Sequence, residues 1–308
     1  MSSILKKCNQ CPRECMKNNK TDYGYCRISI TDSVASVSVH TGEEPVLCGT
    51  KGICNVFFLH CNLQCVFCQN HQISYNSVSL CSSYLTLKQV VDDILNFLQD
   101  GGTHVGFVSA SHCIETMIFL IKEIRVTGFQ PVFVYNTNAY DKVETIEMLD
   151  DYIDVFLPDF KYASNELGSK LSDVVDYFTF AQKSIQKMLF LKGTSIQISD
   201  TGLIEKGVII RHLVLPSFIQ NSIALLRFIE EEFSNRTYVS LMAQYHPMVY
   251  SSVHENLNRK LLKQEYDFVL EEFYRLGFTR GWTQDLESSD EYLPDFDLKN
   301  PFEKKSFD

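Results

Sequence analysis

A chain of 308 residues with 45% hydrophobic and 21% charged content is long and apolar enough for one large α/β core with a small appendage, and too apolar to be disordered by composition. Its net charge of -10 argues against nucleic acid and anionic membranes as partners, because phosphate surfaces select clustered positive charge. The opening residues hold no apolar core of signal-peptide length, and no run of about 18 apolar residues occurs, which predicts a cytoplasmic protein that meets no membrane.

All eleven cysteines lie between Cys8 and Cys113, and the rest of the chain has none. A secreted disulfide framework is not usually confined to one third of so long a chain, so the cysteines read as thiolate ligands. The first block is Cys8, Cys11, Cys15 and Cys26, with Pro12 and Gly24 bending the backbone between them. Four thiols so close in sequence make a compact knuckle that needs a metal to fold, either zinc or an iron-sulfur cluster. Residues 33–40 alternate as a strand does, and the following turn carries Glu43 and Glu44, which read as a solvated acidic pair.

An apolar run at 53–59 leads directly into the loop CNLQCVFC, which places Cys61, Cys65 and Cys68 in a C-x3-C-x2-C pattern. Three thiolates on one short loop leave a fourth metal position open, whereas a closed zinc site or a protein-saturated cluster has four. A zinc completed by His60 or His71 is the alternative reading. Further along, Thr86 and Gln89 form a capping-box pattern ahead of an apolar stripe that ends at Gly101. Strands at 105–109, 131–136, 153–157, 208–215 and 238–243 alternate with helices at 114–126, 142–149, 223–233 and 259–276 and with a longer, mostly helical stretch at 165–191. Residues 193–207 read as a loop with weak strand character.

Six strands with mostly helical connections predict parallel βαβ units curving into a barrel. In such a barrel the active site forms at the carboxyl ends of the strands, and a polar cluster follows each of the six. The expected organisation is a cysteine-rich extension with a lead-in strand (1–50), the barrel (51–250), and a carboxy-terminal helix with an acidic tail (251–308). By composition the tail after Asp285 reads as unstructured.

The triplet Cys61, Cys65 and Cys68, with Phe67 before its last cysteine, resembles the signature of radical S-adenosylmethionine (radical SAM) enzymes. The blocks CPREC, HTGEEPVLCG, CNLQCVFCQN, YNTNAY, LPDFKY, IRHLVLP and AQYHP together resemble the branch related to pyruvate formate-lyase activating enzymes, in a subgroup marked by the amino-terminal four-cysteine block. The resemblance spans residues 8–284 and implies a partial (β/α)6 barrel with a small amino-terminal cysteine-rich extension. It further implies a [4Fe-4S] cluster on Cys61, Cys65 and Cys68, with S-adenosylmethionine on the open iron, and leaves zinc or a second cluster at Cys8, Cys11, Cys15 and Cys26.

Carried over by position, the Phe67 backbone lies near the adenine. Ser109 and Ser111 stand where the branch has a Gly-Gly-Glu-like segment, with His112 as a cap of the next helix. Asn136 replaces the acid of a cation site, so a bound monovalent cation is in doubt. Asp159 and Lys161 match an Asp-x-Lys pair whose lysine meets the cofactor carboxylate, and Arg211 and His246 match positions on the ribose and adenine side. No side chain is required as an acid or base, so none is assigned as catalytic. The implied activity is reductive cleavage of S-adenosylmethionine to a 5'-deoxyadenosyl radical that takes hydrogen from a protein or peptide, a glycyl radical enzyme in some relatives, with flavodoxin or ferredoxin as electron donor. A small-molecule substrate and a non-enzymatic zinc-binding adaptor are the alternatives.

Overall fold

The computed structural model describes residues 8–15, 24–28, 33–77, 84–248, 254–288 and 293–303. Cys81 lies outside them. The strands are β1 (Val34–His40), β2 (Ile53–Phe58), β3 (His104–Val108), β4 (Val132–Thr137), β5 (Val155–Pro158), β6 (Gln197–Ile198), β7 (Ile204–Leu213), β8 (Tyr238–Met242) and β9 (Gly281–Thr283). They join one mixed sheet in the order β1-β2-β3-β4-β5-β7-β8-β9, with β6 paired to the start of β7. Every pairing from β2 to β9 along this path is parallel, while β1 is antiparallel to β2. The six expected strands are therefore present, and β9 adds a short seventh at the far edge. Segments 1–50 and 251–308 each give a strand to this sheet.

The helices are α1 (Pro45–Cys48), α2 (His71–Ser74), α3 (Leu87–Gln99), α4 (Ile114–Val126), α5 (Val143–Leu149), α6 (Asn165–Ser172), α7 (Tyr177–Lys192), α8 (Ile219–Phe228) and α9 (Lys263–Arg275). The Thr86 capping box forms as read, with Gln89 closing it. The stretch expected to be mostly helical at 165–191 holds two helices, α6 and α7. Asp173 takes a left-handed φ of 54°, and the Val174 N–H returns to the Gly168 carbonyl at 3.2 Å, ending α6 as a left-handed cap ends a helix.

Strand alternation gives the sheet two different faces. Val56, Phe107, Tyr135, Phe156 and Ile210 belong to the large core shared with the helices. Ile53, Val134, Val155, Leu157 and Ile209 instead pack against Leu47 and Cys48 of α1. The short helix thus fills the inner face near the amino ends of the parallel strands, leaving the carboxyl ends to enclose a cavity.

Candidate active site

The cysteine loop leaves β2 through His60, whose φ of 59° turns the chain across the strand ends. The Gln64 and Val66 N–H groups donate to the carbonyls of Ser172 and Leu171 at 3.1 and 2.9 Å. The Tyr75 hydroxyl donates to the Cys65 carbonyl at 2.9 Å, and the Cys61 N–H donates to Asn76 Oδ1 at 3.2 Å. The sulfurs also have donors. Cys61 Sγ accepts from the Leu63 N–H at 3.4 Å and the Asn138 amide at 3.6 Å, Cys65 Sγ accepts from the Ser172 hydroxyl at 2.9 Å, and the Ser74 side chain bonds Cys68.

Burial pushes the Cys61 thiol up to about 12 and that of Cys68 up to about 11, and it raises Cys65 as well. Without a cation these three thiols stay protonated, and only a positively charged metal core turns them into thiolates at neutral pH. That donor set, with a hydrogen-bond donor at each sulfur, fits an iron-sulfur cluster. Among the described residues no group of three or more His, Cys, Asp or Glu stands in the spacing that holds one metal ion. A cluster makes no such demand, since its thiolates bind separate irons.

The three thiols line one cavity of about 390 Å³, together with Phe67, Ser109, Asn136, Asp159, Lys161 and Arg211. These side chains come from the ends of successive strands, as barrel geometry requires. Lys161 Nζ lies 2.6 Å from Asp159 Oδ2. Burial alone would lower the Lys161 pKa, but the Asp159 carboxylate and the Cys65 sulfur outweigh it and hold the ammonium charged. Ser109 turns the chain after β3 with a φ of 55°.

Two expected residues stand outside the lining. Ser111 is fully buried in a short turn against β4, bonded to the Tyr135 and Thr137 hydroxyls at 3.0 and 3.2 Å. Both of those donate to Asp141, so Ser111 belongs to a closed network away from the cavity. His246 is not among the lining residues either, and Gln244 is. His112 does not cap α4; its Nε2 meets the Leu59 carbonyl at 2.8 Å, and burial lowers the ring to about 4. Asn138 was legible in principle, since it follows the lining residue Asn136 by two positions at a strand end.

Glu43 and Glu44 are not the solvated pair their turn composition suggests. Arg211 Nε and Nη2 donate to Glu44 at 2.9 and 2.5 Å, and Nη2 also meets Glu43. Glu43 accepts from the Asn55 amide at 3.0 Å. The carboxylates are only 12% and 5% exposed and Arg211 10%, so the three charges form a nearly dry ion trio in the cavity wall. Burial would raise Glu43, but the guanidinium holds its carboxyl below the usual range.

The amino-terminal cysteines gather against this same loop. Cys11 is buried; burial first, and then Cys8, Cys26 and Cys15, push its thiol up to about 12. Gly24 eases this approach, since a Cβ there would stand 3.1 Å from that of Cys15. Arg13 sits 3.4 Å over the Tyr25 ring and donates to the Asn62 carbonyl at 2.6 Å, and His60 Nδ1 contacts the Cys26 carbonyl at 2.6 Å. The residues on either side of Cys61 are thus both tied to the knuckle.

The tail does not match its reading as unstructured. Residues 293–303 fold along the cavity, with Phe302 3.9 Å from the His40 ring centroid and Phe296 edge-on to Phe57 at 5.2 Å. Two half-buried aromatics packed on the Phe57 cluster outweigh the acidic composition. Residues 289–292 and 304–308 lie outside the described residues. Beside the tail, three glutamines cross from the cysteine loop to the far edge of the sheet. Gln69 donates to the Gln244 carbonyl at 2.8 Å, and Gln284 donates to Gln244 Oε1 at 2.8 Å. Among the described residues no helix is long and apolar enough to cross a membrane.

No family model matches the chain. It is 32% identical over 282 residues to the uncharacterised protein MJ0674 of Methanocaldococcus jannaschii, covering 87% of this chain and 75% of that one. Among solved structures, HydG, a maturase of the [FeFe]-hydrogenase, superposes with a TM-score of 0.51 at 14% identity, over 75% of this chain and 51% of HydG. SuiB of Streptococcus suis bound to its precursor peptide SuiA gives a TM-score of 0.47 at 16% identity, over 78% of this chain and 50% of SuiB. A domain of pyruvate-formate lyase-activating enzyme from Bacteroides vulgatus gives 0.43 at 13% identity, over 60% of this chain and 100% of that domain. The chain spans about half the length of HydG and SuiB, and at such identities the likeness to HydG is one of fold alone.

Proposed function

We propose, for a chain that belongs to the family of MJ0674 and has a radical-SAM-type fold, that it holds a [4Fe-4S] cluster on Cys61, Cys65 and Cys68 and cleaves S-adenosylmethionine reductively. The observation that carries this reading is the convergence of three thiols from one loop, two buried and Cys68 half-buried, on a single cavity walled by polar strand ends. A cluster held by Cys61, Cys65 and Cys68 would supply one-electron reduction of S-adenosylmethionine, with the electron from a donor protein of the flavodoxin or ferredoxin class, and so methionine and a 5'-deoxyadenosyl radical for hydrogen abstraction from substrate.

The chain's own residues bind and orient. Lys161, kept charged by Asp159, supplies a cation for the methionyl carboxylate through a charge-assisted contact. Asn136, Asn138 and Ser109, which line the same cavity, would offer neutral donors and acceptors to the methionyl group, and the Phe67 backbone would lie on the adenine side. Asn138, Ser172 and Leu63 set the environment of the sulfurs. The Glu43, Glu44 and Arg211 trio holds one part of the cavity wall together by buried charge pairing. Cys8, Cys11, Cys15 and Cys26 would hold a second metal group, an iron-sulfur cluster or, if the four sulfurs draw closer than they stand here, zinc, and their segment braces Cys61 through Asn62 and His60.

Anaerobic reconstitution with iron and sulfide followed by dithionite tests the reading. We expect 5'-deoxyadenosine from S-adenosylmethionine, lost in Cys65→Ala. A chain that binds stoichiometric zinc at both cysteine groups and yields no 5'-deoxyadenosine would be the adaptor instead.

A further inference from the structure

We infer that the carboxy-terminal strap, residues 293–303, closes the side of the cavity and restricts the site to a small-molecule substrate; this rests on the radical reading above for its chemistry but on the strap alone for its geometry. The edges of the sheet are β1 and β9, and a barrel left open between its edges gives a lateral entrance wide enough for a polypeptide. Here that entrance has an occupant. Pro294 and Phe302 are themselves part of the cavity wall. Phe302 packs on His40 and on Phe57, the latter at 5.9 Å, and Phe296 packs edge-on against Phe57.

The strap is also tied by hydrogen bonds that do not depend on its aromatic rings. Gln72 of α2 accepts from the Phe296 N–H at 2.9 Å and donates to Asp295 at 3.2 Å. The Asp295 N–H closes the strap on itself through the Pro301 carbonyl at 2.8 Å. Above it, Gln69, Gln244 and Gln284 link the cysteine loop to the chain beyond β9. The cysteine-loop side of the cavity is thus tied both to the strap, through Gln72, and to the chain beyond β9, through Gln69.

The cavity itself is of small-ligand size. About 390 Å³ lies near the lower bound of the roughly 300 to 1,000 Å³ typical of small-ligand pockets. A protein segment would have to displace the strap and expose Phe57 and Ile73, which the strap now covers.

Two measurements test this. In the cluster-free full chain, iodoacetamide and a polymer-linked maleimide are compared at the peptide carrying Cys61, Cys65 and Cys68, by mass spectrometry. We expect the small reagent to enter the parent protein and the polymer to be excluded. Phe296→Ala with Phe302→Ala should raise polymer labelling about tenfold or more, as loss of aromatic contacts of ordinary strength implies. If that variant does not fold, Gln72→Ala loosens the same strap without emptying its phenyl sites. Equal polymer labelling of parent and variant overturns the inference.

In the loaded enzyme, a deuterated cell extract is divided into dialysable and macromolecular fractions, and deuterium is sought in the 5'-deoxyadenosine formed. Deuterium delivered by the dialysable fraction supports a small-molecule substrate. Its delivery by the macromolecular fraction alone, or by neither, overturns it. Absence of any 5'-deoxyadenosine would fail the cofactor reading instead, and the labelling result would still decide the strap.

Discussion

Replacing Arg211 by methionine should destabilise the protein far more than loss of one surface charge would. The guanidinium is the cation that meets both Glu43 and Glu44, and all three side chains are close to dry. Removing it leaves two like charges buried side by side, and breaking a buried pair of this kind costs about 3 to 5 kcal/mol. For a chain of this size that corresponds to a fall in melting temperature on the order of 10 °C. Adding Glu43→Gln and Glu44→Gln to Arg211→Met removes the orphaned charges and should restore at least half of the loss, a non-additivity that only coupled groups show. Thermal melts followed by far-ultraviolet circular dichroism of the single and triple variants measure both effects. An Arg211→Met protein that melts with the parent, or a triple variant that melts below the single one, would refute the ion trio as a structural pillar.

Three further outcomes follow from the geometry. Burial lowers His212 to about 4, with its ring between the Phe160 carbonyl and the Ser222 hydroxyl. Because the unfolded chain takes up this proton near pH 6.5 and the folded chain does not, stability is full above that pH and is lost as pH falls toward 4. Between pH 7 and pH 5 the loss from this group is about 2 kcal/mol, and urea melts of His212→Gln should show a correspondingly weaker decline. Ser172→Ala removes the hydroxyl that donates to Cys65 Sγ, and potentiometric titration should find the cluster harder to reduce. Cys11→Ser should lower total metal by one site while leaving the Cys61 loop loaded, and unchanged metal content would show that the amino-terminal cysteines are no separate site.

Local patterns were legible in the sequence and distant pairings were not. The Thr86 cap, the apolar stripe of α3 and the bounds of α4 depend on neighbours within a few residues, so the residues themselves declare them. The cysteine loop is legible for the same reason. Glu43 and Glu44 resemble any acidic turn until Arg211, 167 residues away, is folded onto them. Asp173 breaks the helical stretch at 165–191 without glycine or proline to announce it. The strap has no periodicity, and its two phenylalanines gain meaning only against His40 and Phe57. At the strand ends, alternation separates Asn136 and Asn138 from the network that captures Ser111, whereas the choice of Gln244 over His246 depends on the ladder from Gln69.

The central claim is that the Cys61 loop holds a cluster with one iron left open to S-adenosylmethionine. Electron paramagnetic resonance of the anaerobically reconstituted, dithionite-reduced protein, recorded before and after adding S-adenosylmethionine, tests it most directly. We predict a reduced [4Fe-4S] signal that is lost in Cys65→Ala and whose g-values shift when S-adenosylmethionine binds. A signal unchanged by S-adenosylmethionine, or one that survives in Cys65→Ala, would contradict the account.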